Sequence, residues 1–163
     1  AALTVRFEPA FITVAPNDTV LVSIVMDSDE PIVGFGFDLA IAQPATASFD
    51  GLPVIGPLWS AVPSTDGDAF AGLAFPNAVS GVGQLLATIM IRGHLEGTTM
   101  LSASITLNDP TEGFALDAPP GAFAIPVFQD SPITVTPAVG TPMGVGFGCI
   151  MLGCFKRRRK VGA

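Results

Sequence analysis

The chain is poor in the residues that most often perform catalysis or hold metals. It contains one histidine, two cysteines, one tryptophan and no tyrosine. Both cysteines, Cys149 and Cys154, lie near the C-terminus, so the long N-terminal part contains no thiol. This excludes a disulfide framework and a cysteine nucleophile from that part. The pattern favours small buried apolar residues for the two cysteines, with lipidation as the alternative.

Basic residues are also scarce, and they are unevenly distributed. Five of the seven Lys and Arg residues form the run 156–160, and only Arg6 and Arg92 precede it. All 14 acidic residues also precede it, so this part has two cations against 14 acids, a formal charge of −12. A domain with this negative charge would repel a phosphate backbone, which argues against nucleic acid as its partner.

An uncharged apolar run leads into the five cations. Residues 143–155 contain no charged side chain. They are followed at once by the basic cluster Lys156, Arg157, Arg158, Arg159 and Lys160. This pattern is typical of a C-terminal membrane anchor whose basic end stays in the cytoplasm. The run is short for a hydrocarbon core of about 30 Å, but Thr141 can cap a helix, Pro142 favours its first turn, and Lys and Arg stems can reach the interface.

We therefore predict one transmembrane helix over 142–160. A buried core helix and a disordered basic tail are the alternatives, because a run of this length alone also fits them. Gly144 and Gly148 lie one helical turn apart, and Gly153 follows Cys149 at the same spacing. Small residues at this spacing allow two helices to approach closely, although glycine is also common in membrane helices generally.

The remaining residues have the composition and periodicity of an all-β domain. Fifteen prolines and 18 glycines divide the sequence, and no apolar period of 3.6 residues is sustained. A strong strand at 20–26 is expected to end in the acidic turn 27–31. The next strand, 32–41, alternates large apolar with small residues. One face of this strand should therefore point into the core, and the other should carry small side chains. Segments 84–92 and 98–107 predict a hairpin through 93–97.

These elements predict eight or nine strands in an antiparallel β-sandwich. A proline-rich segment at 43–67 is expected to pack as a lid over one end of it. The predicted organisation is a domain at 1–136, a linker at 137–141, the helix at 142–160 and a tail at 161–163. The predicted core residues are Val22, Ile24, Phe35, Phe37, Leu39, Ile89 and Ile91.

Four segments carry a resemblance to a known family. Residues 14–24, 32–41, 83–91 and 96–101 resemble strands of the cohesin-like and related carbohydrate-binding-module sandwiches. The resemblance covers about residues 3–136 and implies a cohesin-like jelly roll. Ala42-Gln43-Pro44 stands where the family has an aromatic residue, Asp and Pro, and the chain has no dockerin-like segment. The tail is similar in plan to sorting signals of the PEP-CTERM type, without their Pro-Glu-Pro motif.

Few residues are candidates for a chemical site. Asp27, Asp29 and Glu30 form an acidic group that could hold calcium through hard oxygen ligands, as could Asp66 with Asp68 and Asp109 with Glu112. Solvated turn acids are the favoured reading of all three groups. His94 is expected in a turn without a nearby Ser or Cys partner. No catalytic or cofactor motif is present, so we expect neither enzymatic activity nor a cofactor.

Two functions fit this sequence. The first is a non-enzymatic structural or accessory subunit of a membrane complex, for example respiratory or photosynthetic, which packs against other membrane-protein subunits. The second is a membrane-tethered surface module that binds polysaccharide or extracellular matrix. Both anchor the protein in a bacterial cytoplasmic membrane, with the N-terminal domain in the periplasm or outside the cell and the C-terminus in the cytoplasm. A single Trp and no Tyr weaken the second, because sugar binding relies on exposed aromatic rings.

Overall fold

The computed structural model describes residues 3–62, 69–74, 76–106, 109 and 111–137. Every regular element in these ranges is a β-strand. No helix that could cross a membrane occurs within them. The predicted helix over 142–160, with its glycines and basic cluster, lies outside them. The strands are β1 (Leu3–Glu8), β2 (Ile12–Val14), β3 (Thr19–Ile41), β4 (Ala47–Phe49), β5 (Val54–Ile55), β6 (Ser60–Val62), β7 (Ala69–Leu73), β8 (Val79–Gly93), β9 (Gly97–Ser104), β10 (Gly113–Leu116), β11 (Phe123–Ala124), β12 (Pro126–Gln129) and β13 (Ser131–Val135).

Strand β3 belongs to both layers of the sandwich. Its first half pairs with β1 and β8, and its second half pairs with β7, β9 and β10. The first sheet is β12–β1–β3–β8, with β4 and β5 on the far side of β8. The second sheet is β6–β7–β3–β9–β13–β2, and the β10–β11 hairpin also lies along β3. The described strands pair antiparallel except for β1 with β12 and β2 with β13, which are parallel.

The acidic segment 27–31 does not end a strand, contrary to the sequence prediction. The β3–β8 register shifts on both sides of Ser28, so the segment is an irregularity within one long strand. The Ser28 hydroxyl donates to the carbonyl of Glu30 and accepts from its N–H. These local bonds occupy backbone groups that regular pairing would use. Pro31, which has no N–H to donate, is tolerated there for the same reason.

Strands β8 and β9 do not form the predicted hairpin. They share no pairing, because β8 pairs with β3, β4 and β5 while β9 pairs with β3 and β13. The connection after Gly93 therefore carries the chain from the first sheet to the second. Gly93 instead bonds to the turn that precedes β3. Its N–H donates to the carbonyl of Asp18, and its carbonyl accepts from the N–H of Asn17.

The segment predicted as a lid is part of the sheets over its described residues. It forms β4 and β5 at the edge of the first sheet, then crosses to form β6 at the edge of the second. Trp59 enters the core at this crossing, where its indole N–H donates to the carbonyl of Leu85 at 3.0 Å and its ring meets Phe35 edge-on at 5.0 Å. Of the large apolar side chains in this segment, Trp59 is thus buried in the core, whereas Leu52, Val54 and Leu58 remain exposed.

The core lies between the two sheets and is rich in phenylalanine. Six of the seven predicted core residues are buried, and the seventh, Leu39, is half-buried against the same cluster. Phe37 is at the centre, with its ring centroid 4.6 Å from that of Phe70 and 5.9 Å from that of Phe114. The alternation in 32–41 therefore points its large side chains inward, as the sequence predicted.

Candidate functional site

The three acidic residues proposed for calcium do not act as one group. The Asp27 carboxylate accepts hydrogen bonds from Arg6 Nε at 3.3 Å and from the N–H of Gly83 at 2.6 Å. It thus ties β1 and β8 to β3. Asp29 is exposed and Glu30 is half-buried beside it. Within the part of the chain that the structure describes, no three His, Cys, Asp or Glu side chains are arranged to hold a metal ion. Asp66 and Asp68 lie outside that part.

Both described cations belong to the first sheet. Arg6 in β1 pairs with Asp27 and with Glu8. Arg92 in β8 pairs with Asp50 at 2.9 Å and donates to the carbonyl of Asn17. The second sheet therefore carries no positive side chain among its described residues.

His94 has a serine partner, which the sequence prediction missed. Its Nε2 lies 2.7 Å from the Ser48 hydroxyl oxygen, which β4 brings alongside the end of β8. A serine nucleophile also needs a group that orients the histidine and donors that stabilise an oxyanion. No described carboxylate bonds to this ring. The pair fastens β4 to the turn after β8, where the N–H of His94 also donates to the carbonyl of Thr46.

Part of the outward side of the second sheet is built from very small side chains. We call it the small-residue face, defined by the outward positions of β7 and β10 and of the stretches 34–40 of β3 and 102–104 of β9. Thr98 and Met100, farther along β9, lie outside it. Apart from Asp38 and Leu73, these positions are glycine, alanine or serine. They are Gly34, Gly36, Asp38, Ala40, Ala71, Leu73, Ser102, Ser104, Gly113 and Ala115. The strict alternation in β3 produces this face directly, as the sequence predicted, because Phe35 and Phe37 fill the opposite side.

A groove of about 270 Å³ runs along this face. Gly34, Gly113 and Ala115 form its floor, while Leu73 and Phe123 rise on opposite sides. Both walls are exposed, Leu73 by 48% and Phe123 by 55%. Each wall side chain lies above a glycine. A Cβ at Gly34 would lie 3.2 Å from Leu73 Cδ1, and a Cβ at Gly113 would lie 2.8 Å from Phe123 Cδ1. The groove exists because these two positions lack side chains.

One end of the small-residue face is acidic. Asp38 Oδ2 accepts from the Thr106 hydroxyl at 3.1 Å, while its Oδ1 is buried and receives no donor from the described residues. The backbone N–H of Thr106 donates to the buried Glu112. Asp109 accepts from both the N–H and the hydroxyl of Thr111. Asp109 and Glu112, read from sequence as a weak calcium pair, thus stabilise the segment before β10.

A second depression lies beside β8. It has a volume of about 460 Å³ and is lined by uncharged side chains, including Pro57, Leu58, Asn77, Ser80 and Gln84. Its amides and hydroxyl could bond to a neutral polar ligand. It is a separate site from the groove, on a different part of the sandwich.

Comparisons with known proteins agree with this fold. No protein-family model matches the sequence, and no curated protein matches it. Solved structures do. The seventh ScaB type I cohesin from Pseudobacteroides cellulosolvens is 15% identical, with a TM-score of 0.65 over 86% of this chain and 96% of that one. A non-cellulosomal cohesin from Archaeoglobus fulgidus is 13% identical, with a TM-score of 0.63 over 83% and 92%.

A further match is a complex. It is a type I cohesin–dockerin complex from Clostridium thermocellum, 12% identical, with a TM-score of 0.59 over 83% of this chain and 99% of the matched chain. At such identities the likeness concerns the fold alone. Residues of the described part of this chain thus form an all-β sandwich with the cohesin-like fold.

Proposed function

We propose that the domain is a non-enzymatic docking module that binds a partner protein through the small-residue face. The observation that carries this proposal is the composition of that face, where four neighbouring strands present glycine, alanine and serine side by side. Between Leu73 and Phe123 a partner can approach the backbone closely, whereas Thr111 covers Gly36. Few long side chains lose rotamer freedom on binding, which lowers the entropic cost of association.

The cohesin-like fold supports the same proposal. One of the matching structures is a cohesin bound to a dockerin, so a sandwich of this shape serves as a protein-binding module in that protein. The transfer to this chain is an argument from fold, and the chemistry of its own face has to support it. A non-enzymatic role is in keeping with the described residues, where the Ser48–His94 pair lacks an orienting carboxylate.

We further propose that the segment 142–160 anchors the module in a bacterial cytoplasmic membrane. The domain would then lie in the periplasm or outside the cell, with Lys156–Lys160 in the cytoplasm, because the cation bias sets orientation. In this arrangement the protein is a structural or accessory subunit of a membrane assembly, such as a respiratory or photosynthetic complex. Gly144, Gly148 and Gly153 would pack its helix against neighbouring subunits.

A pair of matched variants tests the docking face. Ser102→Arg places a long cation on the small-residue face, and Thr88→Arg places the same group on the outward side of the first sheet. Both native residues are half-buried strand positions. Full-length protein of each type would be purified from native membranes in mild detergent, and the co-purifying proteins compared by quantitative mass spectrometry.

We expect Ser102→Arg to lose a partner that Thr88→Arg retains. Circular dichroism of both variants would show that the sandwich is intact. Equal recovery of all partners with the two variants would contradict docking through this face. Protease added outside spheroplasts tests the topology separately, since it should digest the domain and spare the basic cluster.

Polysaccharide binding remains the second candidate, favoured by the uncharged polar depression beside β8. It has less support because Trp59 is buried, and because the exposed rings Phe11, Phe49 and Phe123 belong to segments that are not neighbours in a sheet. Affinity electrophoresis in gels with embedded soluble polysaccharide would test it. Retardation that Gln84→Ala abolishes and Phe123→Ala leaves unchanged would favour this candidate.

A further inference from the structure

The groove on the small-residue face is large enough to hold one large side chain. Its volume of about 270 Å³ is at or below the lower limit of about 300 Å³ for pockets that bind small molecules. Its floor is glycine and alanine, and its walls, Leu73 and Phe123, are apolar and exposed. A buried anchor of this kind, an apolar side chain in a close-fitting pocket, contributes much of the affinity of many protein interfaces.

The acidic end lies on the same strand as the groove. Asp38 is four residues from Gly34 along β3, which at the rise of a β-strand is about 13 Å. Its Oδ2 accepts from the Thr106 hydroxyl in an exposed hydrogen bond, whereas its Oδ1 is buried. Glu112 and Asp109 lie in the segment beside it, and both described arginines are engaged on the first sheet. A partner's cation would therefore meet no competing cation among the described residues at this end of the face.

We infer that the docking face recognises a protein segment with two features at a fixed spacing. The first is a large apolar side chain, which enters the groove between Leu73 and Phe123. The second is a lysine or arginine about 13 Å away, which pairs with Oδ2 of Asp38, the carboxylate oxygen that the Thr106 hydroxyl also contacts. This inference rests on the proposed function and adds the chemistry of the partner, namely an apolar anchor with a basic flank.

Synthetic peptides test the inference without knowledge of the natural partner. One format is an extended 12-residue peptide of Ser, Thr and Gly with Leu and Arg four residues apart. The other is an alanine-rich helical peptide with Leu and Arg seven residues apart. This spacing puts both on one face of the helix about 10 Å apart, and the long Arg side chain covers the remaining distance. Each format is made in four versions, the parent, an Arg→Glu version, an Arg→Ser version and a Leu→Gly version. Fluorescence anisotropy with the full-length protein in detergent measures binding.

Three protein variants locate the binding. Ala115→Leu fills the groove from its floor. Gly34→Ala is a milder filling, because the added Cβ meets only the end of the flexible Leu73 side chain. Asp38→Asn removes the charge and keeps an oxygen for the Thr106 hydroxyl. Leu21→Ala is the matched control, since Leu21 is exposed by 60% on the outward side of the first sheet.

In at least one format we expect the parent peptide to bind about tenfold more tightly than the Arg→Glu version, since attraction is replaced by repulsion. Ala115→Leu should weaken binding by at least about tenfold, as loss of an interface anchor does. Gly34→Ala should weaken it less, and Leu21→Ala should not change it. Asp38→Asn should weaken the parent peptide by about fivefold, the effect of one partly exposed ion pair. It should leave a peptide with Ser in place of Arg unchanged.

Equal affinity for the Arg and Glu versions would overturn the inference that the partner segment has a basic flank. Full binding to both groove-filling variants would overturn the apolar anchor. Absence of binding by every peptide up to about 1 mM, the weakest affinity of interest, would overturn the inference as a whole. These failures are distinguishable from failure of the proposed function, because the Ser102→Arg comparison can still show that a natural partner docks on this face by other contacts.

Discussion

Replacement of Phe37 by alanine should remove the centre of the core. Its side chain is fully buried, and its ring contacts those of Phe35, Phe70, Phe114 and Phe128, with centroids 4.6–5.9 Å away. Loss of a buried phenylalanine costs about 3–5 kcal/mol, because transfer energy is lost and a cavity remains. The four aromatic contacts place the expected loss for Phe37→Ala towards the upper end of that range, since each such pair adds about 0.5–1.5 kcal/mol beyond burial.

Trp59 provides the assay for this prediction. It is the only tryptophan, and it lies in the core beside Phe35, so its emission should shift to the red when the domain unfolds. Equilibrium unfolding in urea would give the free energy of unfolding for wild type, Phe37→Ala and the control Phe123→Ala, whose native ring is exposed by 55%. We expect the control to cost less than about 1 kcal/mol. If the two variants lose similar stability, Phe37 is not the centre of the core.

Other parts of the structure make equally direct predictions. Gly36→Ala should prevent folding or lower the thermal midpoint by more than about 10 °C, because the new Cβ would overlap the carbonyl oxygen of Thr111. The Gly34→Ala control should stay folded, since its Cβ has more room. Equal melting curves for the two variants would contradict this. Asp27→Asn should lower the free energy of unfolding, measured in urea at low salt, by about 1 kcal/mol or less. The difference from wild type should shrink in 1 M NaCl, because salt screens the ion pair with Arg6. A loss of stability that does not depend on salt would show that the ion pair contributes nothing. Leu at both Gly144 and Gly148 should keep the protein in the membrane but weaken its co-purification with other subunits; undiminished co-purification would reduce the helix to a simple anchor.

The sequence was most informative where the periodicity is strict. The alternation of Phe35 and Phe37 with Gly34 and Gly36 predicts both the buried side and the small outward side, since a strand alternates its faces whatever its partners are. The cohesin-like sandwich follows from the same strand patterns. The docking face could be read as a set of small residues, but its groove could not, because Phe123 arrives from a hairpin distant in sequence.

The sequence was least informative about which sheet each strand joins. Segments 84–92 and 98–107 have the spacing of a hairpin, yet β8 and β9 belong to different sheets, because local turn residues do not determine the pairing partner. The acids at 27–31 read as the end of a strand, yet Ser28 satisfies local backbone groups and β3 continues. The Ser48–His94 contact joins residues 46 apart, a distance over which spacing carries no signal.

The position of β13 has a mechanical consequence. It is the last described strand, and the described part of the chain ends two residues after it, at residue 137. It is held between β9 and β2 by five aligned residue pairs on one side and three on the other. A pull directed along β13 would load these ladders in shear, so that all their hydrogen bonds resist together. Strand β9 also supplies part of the docking face, so tension between a bound partner and the C-terminal end of β13 would pass through the backbone hydrogen bonds that join β9 to β13.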